Sequence, residues 1–103
     1  MTLTAQDVVA DFVRQHDLDG IGVESRLLDL VSEVGELAKD ALAGTVYGAQ
    51  QFTPGEAWFD EIGDVCFSLL CLADITGVDL DDALVSALDK YRSRLGTTGS
   101  ASS

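Results

Sequence analysis

Residues 23–44 read "VESRLLDLVSEVGELAKDALAG". At about 100° per residue, Asp29, Glu33, Glu36 and Asp40 fall within an arc of roughly 60°, while Leu27, Val31, Val34, Ala38 and Ala41 lie on the opposite side. The spacing predicts one amphipathic helix from Val23 to about Ala43, ended by Gly44. An acidic stripe opposite an apolar one is also how an ordinary solvated helix face reads, so this helix alone assigns no chemistry.

Working outward, the chain reads as helices with almost no strand signal. Upstream, Thr4 is a candidate N-cap for a short helix to Gln15, with Val8, Val9, Phe12 and Val13 at helical spacing, and "HDLDGIG" is a connection. Downstream, "GTVYGAQQF" is a loop. "TPGE" then offers Thr53 as N-cap, Pro54 at the first helical position and Glu56 three residues after the cap, which predicts a third helix running to about Ile75. "TGVD" makes a turn, and Asp79 with Asp82 caps a fourth helix ending near Leu95, where Gly96 stops it. The expected organisation is one all-α, four-helix domain over residues 1–95, followed by a disordered polar tail at 96–103.

The chain has 103 residues, 47% of them hydrophobic, which suits one domain. A fold of this size buries only roughly 60–65% of its unfolded surface, so an oligomer is expected. Formal net charge is −12, with Lys39, Lys90, Arg14, Arg26, Arg92 and Arg94 as the fixed cations. That balance disfavours nucleic acid and anionic membranes as partners. A phosphorylated substrate would be repelled as well, unless divalent cations reverse the local field. Cys66 and Cys71 sit five apart within one predicted helix and point away from each other, so no disulfide is implied. The absence of a leader or a membrane-length apolar run leads to the expectation of a soluble, cytoplasmic protein.

The third helix adds weight to the acids. "VCFSLLCLA", residues 65–73, is apolar all round except for Ser68, which predicts burial on every side. Glu61 and Asp64 share a face that continues into Ser68 and Cys71. Carboxylates beside buried surface need cations or protons, and facing carboxylate pairs on two packed helices suit a hard divalent ion.

"EVGEL" followed, after a loop, by "DEIGDV" and an apolar half-helix resembles the ExxE and ExxD motif pair of the MazG-type nucleotide pyrophosphohydrolases, within the all-α NTP pyrophosphatase superfamily. Glycine precedes the last acid of each motif, and the likeness extends from about Val23 to Arg94 through "LADITGVDLDDAL" and a basic helix end. The resemblance implies that Glu33, Glu36, Glu61 and Asp64 hold Mg²⁺ or Mn²⁺ bound to substrate phosphates. It also implies that Glu33 or Glu36 orients the attacking water, the choice between them being open. The implied reaction is hydrolysis of an NTP or dNTP to the monophosphate and pyrophosphate, in the manner of nucleotide-pool cleaning. Phosphoribosyl-ATP hydrolysis and a catalytically weak regulatory or binding role are the alternatives. Family members form homodimers or dimers of dimers.

Other residues have two readings each. Lys90 and Arg94 either contact phosphate or complement a helix C-terminus. Trp58 either stacks on a base or packs, and Tyr47 and Phe52 either cover a base or anchor their loop. Asp29, Asp40 and Asp60 read as solvated face and His16 as a surface residue. A di-iron carboxylate site is disfavoured, because it would need Glu-x-x-His pairs and the single histidine has Val13 three residues before it.

Overall fold

A computed structural model describes residues 3–98. Those residues form four helices and no strand: α1 (Ala5–Gln15), α2 (Val23–Gly44), α3 (Glu56–Ile75) and α4 (Leu80–Thr98). The helix α3 lies between the other two of the packed layer, with α2 along one side and α1 along another, whereas α4 makes only slight contact with them.

The ends follow local chemistry in part. Thr4 caps α1 with a reciprocal box: its hydroxyl accepts from the Asp7 amide at 3.1 Å, and the Asp7 carboxylate accepts from the Thr4 amide at 3.0 Å. Asp79 caps α4, its Oδ1 accepting from the Asp82 amide at 2.9 Å. Gln6 then ties α1 to the α3–α4 turn with two bonds, donating to the Val78 carbonyl at 2.7 Å and accepting from the Leu80 amide at 2.8 Å.

Two boundaries differ from the sequence expectation. The start of α3 is not at Thr53–Pro54: Gly55 is the N-cap, in extended conformation and with no side-chain cap. The chain ahead of it is held by Phe52, whose ring packs on Trp58 at 4.7 Å and against Gly44, so tertiary packing sets where the helix begins. At the other end Gly96 does not stop α4, which continues to Thr98. Gly is a poor helix former rather than an obligatory stop, and one such residue in a last turn costs only about 1 kcal/mol. Residues 96–98 of the expected tail are thus helical, and its remainder, 99–103, lies outside the described residues.

The core is small. Ala10 and Val13 of α1 and Leu70, Cys71 and Ala73 of α3 are the buried apolar residues among those described. Beside them Phe12 meets Phe67 edge-on at 6.0 Å, and the buried Arg26 guanidinium sits 6.0 Å from the Phe67 ring and donates to the Leu18 carbonyl at 3.4 Å. His16 is exposed and stacks on Phe12. Both cysteines are free thiols.

The orientation of α2 is the main departure from expectation. Its less exposed residues are Arg26, Leu30, Glu33, Leu37, Asp40, Ala41 and Gly44, so part of the acidic arc turns toward the protein. Its apolar stripe, Leu27, Val31 and Val34, is exposed instead, Val31 to 61%. On α3, the expected all-round burial of residues 65–73 fails at Cys66 and Leu69, which continue an exposed apolar edge begun by Phe59 and Ile62. The chain accordingly exposes 7428 Å², against about 5,600 Å² for a compact monomer of its mass. Its radius of gyration is 16.7 Å, against about 13 Å for a compact domain of this length.

Candidate functional site

Packing α2 on α3 brings the two acidic segments together. Glu36 and Asp40 come from successive turns of α2, and Glu61 from the second turn of α3; with Lys39 and Ala43 they line a cleft of about 210 Å³. Asp64, one turn after Glu61, is exposed on the same side of α3 and acts on Glu61 electrostatically. Glu33 is half-buried on the inward side of α2, one turn before Glu36 and Leu37.

Glu61 is the focus of the arrangement. Its Oε2 atom is shielded from solvent and no donor reaches it. Desolvation, then Asp40 within hydrogen-bonding reach, then the charges of Asp40, Glu36 and Asp64, hold its carboxyl above the usual carboxylate range. Two ionised carboxylates cannot hydrogen-bond to each other, so this pair needs either a proton or a cation between its oxygens. The donor set is therefore chemically suited to a hard divalent ion: several carboxylate oxygens, one of them lacking any partner, and space beside them. Coordination is not preformed, since among the described residues no three acid, histidine or cysteine side chains converge in ligating range.

Of the residues singled out in sequence, Glu36, Glu61 and Asp64 are brought together, with Glu33 next to them along α2. Asp40, read there as solvated face, is half-buried and is a principal neighbour of Glu61. Asp29 and Asp60 are exposed. Lys39 was not singled out; it lines the cleft and makes no salt bridge among the described residues. Its signal was available, because a lysine between Glu36 and Asp40, on a helix with five acids and one other cation, stands out against the charge balance of the chain.

Lys90 and Arg94 are not delivered to this cleft by intrachain packing. They flank Tyr91 on α4, at 4.9 Å and 6.0 Å from its ring centroid, and α4 does not pack along α2 or α3. Trp58 packs on Phe52 and helps to form a separate apolar groove of about 600 Å³ with Pro54, Phe59, Ile62 and Cys66. Counting 100° per residue, Phe59, Ile62 and Cys66 lie on the opposite side of α3 from Glu61 and Asp64. The groove therefore does not open into the acidic cleft of its own chain. Phe52 anchors its loop, whereas Tyr47 is exposed to 83% at the loop tip. There Val46, Tyr47 and Gly48 all have positive φ, and the Gly48 amide donates to the Thr45 hydroxyl at 3.1 Å.

Among the described residues no helix is long and apolar enough to cross a membrane. No curated protein and no solved structure matches the chain at a significant level. A family model, the MazG nucleotide pyrophosphohydrolase domain, matches residues 21–97 and so spans both acidic motifs, the loop between them and nearly all of α4. With an all-helical fold that sets "EVGEL" against "DEIGDV" across one cleft, the chain belongs to the MazG nucleotide pyrophosphohydrolase domain family.

Proposed function

We propose that this protein hydrolyses a nucleoside triphosphate, ribo or deoxyribo, to the monophosphate and pyrophosphate in a reaction dependent on Mg²⁺ or Mn²⁺, as a nucleotide-pool-cleaning enzyme. The observation that carries the reading is the partnerless Oε2 of Glu61 among Asp40, Glu36 and Asp64, an arrangement that a divalent cation would complete.

In this reading Glu36, Glu61 and Asp64 hold the cation, with Glu33 joining them from the turn before. Once bound, the ion supplies charge neutralisation for the phosphates and lowers the pKa of a coordinated water. Glu33 or Glu36 orients the attacking water and accepts its proton through a carboxylate oxygen. Lys39, at the edge of the cleft, is placed to meet a terminal phosphate oxygen, a charge-assisted contact in a strongly acidic protein. Lys90 and Arg94 serve the same end only if α4 is repositioned by assembly.

Assembly is the second part of the proposal. The outward stripe of α2 and the Phe59–Ile62–Cys66–Leu69 edge of α3 together form apolar surface too extensive for a lone chain, and a homodimer or dimer of dimers covers it.

A panel of ribo- and deoxyribonucleoside triphosphates, standard and damaged, with phosphoribosyl-ATP alongside, tests the reaction. Pyrophosphate and monophosphate appearing only with Mg²⁺ or Mn²⁺ is the expected result. Release of inorganic phosphate instead defeats it by placing the cleavage at the terminal phosphate, and silence across the panel with metal bound defeats it and favours the regulatory alternative.

A further inference from the structure

We propose that Tyr47 stacks on the nucleobase of the substrate, its ring carried on a strained turn at the rim of the acidic cleft while the cation and Lys39 hold the phosphates. The inference rests on the nucleotide-hydrolysing reading above and adds a residue outside both acidic motifs.

At this turn the chain departs from what folding alone would choose. Val46 and Tyr47 have φ of 51° and 56°, a left-handed conformation that suits glycine and that a β-branched or bulky residue rarely adopts. Backbone hydrogen bonds impose it. The Val46 amide donates to the Ala43 carbonyl at 3.1 Å, the Tyr47 amide to the Leu42 carbonyl at 2.8 Å and the Gln50 amide to the Thr45 carbonyl at 2.9 Å. Glycine at either position would close the same turn without strain. The Tyr47 side chain gives nothing back to the fold: it is largely exposed, and among the described residues its hydroxyl has no hydrogen bond and its ring no aromatic or cationic neighbour. Strain kept with no packing in return is a mark of ligand clamps.

Position and chemistry narrow the ligand. The bonds to Leu42 and Ala43 fold the turn back on the last turn of α2, and Ala43, with Lys39, lines the cleft. The cleft wall offers carboxylates, one ammonium group and a methyl group, which suit a metal-bound triphosphate but present no flat apolar face to a base. The other aromatic rings are committed or lie elsewhere. Phe12 and Phe67 meet beside the core, Phe52 and Trp58 pack on each other, and Tyr91 lies between Lys90 and Arg94 on α4. Phe59 lies on the far side of α3. Tyr47 is the ring left at the rim. Stacking needs only a π-face, so this residue selects nucleotides over bare polyphosphate without choosing among bases.

The test is calorimetric titration of the full chain, in Mg²⁺, with α,β-methylene nucleoside triphosphates carrying each common base and with inorganic tripolyphosphate. The proteins compared are the native chain, Tyr47→Ala, Tyr47→Gly and Tyr47→Phe. Tyr47→Ala and Tyr47→Gly are expected to weaken nucleotide binding at least about fivefold, with tripolyphosphate affinity unchanged and Tyr47→Phe binding as the native protein does. Without ligand, Tyr47→Gly should raise the denaturation midpoint, because it relieves the left-handed strain. A lower midpoint would mark a tyrosine kept for structure and overturn the proposal. Native nucleotide affinity in Tyr47→Ala overturns it too, as does an equal loss of tripolyphosphate, which would trace the effect to the phosphate site. A smaller sedimenting mass for Tyr47→Ala would assign the ring to an interface between copies, against the proposal. Each of these outcomes leaves the proposed reaction standing. A native protein that binds neither nucleotide nor tripolyphosphate overturns both.

Discussion

Asp40 and Glu61 face each other across the α2–α3 cleft, one turn beyond Glu36 on the first helix and one turn before Asp64 on the second, with no donor at the inner oxygen of Glu61. The fold thus presses like charges together at one place while leaving apolar side chains in water at another. Both features make sense if the isolated chain lacks two components, a cation in the cleft and a second copy on the outer face.

The cleft has a pH signature. Because the Glu61 carboxyl is raised in the folded protein, the native state keeps a proton that the unfolded chain has already released. In chelator, stability should therefore fall as pH rises from the ordinary glutamate value through the raised native one. Urea midpoints measured from about pH 4 to about pH 8 should show this decline with EDTA, and Mg²⁺ or the Glu61→Gln substitution should flatten it. Asp7 acts in the opposite sense at lower pH. Its bonds to Thr4 lower its carboxyl, so its contribution is present above the ordinary aspartate value and is lost as pH falls through the native one.

Glu36→Gln and Asp64→Asn should each abolish hydrolysis while leaving a folded protein, since neither opens a cavity. The loss in kcat/KM should exceed the roughly 10–100-fold that removal of an outer partner of a metal ligand costs. Lys39→Ala should raise KM more than it lowers kcat, as expected for a contact made to phosphate in the ground state and the transition state alike. Circular dichroism with steady-state kinetics checks all three, and an unfolded Glu36→Gln would reassign that acid to structure.

Gly44→Ala tests the loop anchor. A Cβ at Gly44 would lie 2.8 Å and 2.9 Å from two carbons of the Phe52 ring. Overpacking of this kind costs about 1–3 kcal/mol, from which the better helix propensity of alanine recovers about 1. The net expectation is a destabilisation of about 1 kcal/mol, read as a lower denaturation midpoint. Trimming the ring in a Gly44→Ala/Phe52→Leu double variant should cost less than the two single changes added together.

Helix number, the two acidic motifs and the caps at Thr4 and Asp79 were legible in the sequence because each depends on residues within a turn or two of one another. The start of α3 was not, because Phe52 wedged between Gly44 and Trp58 overrides the local signal of Thr53 and Pro54. Periodicity also resolved the two faces of α2 without telling which one turns inward. That depends on what covers Leu27, Val31 and Val34, and these three are exposed among the described residues. Asp40 is half-buried rather than on an open solvated face for a related reason: its neighbour Glu61 is distant in sequence and close only after α2 and α3 pack.

The exposed stripe leads to the last prediction. Val31 and Phe59 are 61% and 80% exposed, and α4, carrying Leu84, Val85 and Leu88 in water, packs only slightly on the other described helices. A second copy would remove such surface from water at roughly 25 cal/mol per Å², whereas a charge placed there would have to be desolvated on association. Sedimentation equilibrium should therefore give the native protein a mass of two or four times 10.9 kDa. Val31→Glu and Phe59→Glu should shift it toward a single chain without unfolding α2 or α3, because neither residue belongs to the monomer's core. Hydrolysis should fall with assembly if Lys90 and Arg94 reach phosphate only in the oligomer, and should persist in the monomeric variants if Lys39 suffices. A native protein sedimenting at 10.9 kDa would overturn the proposed self-assembly.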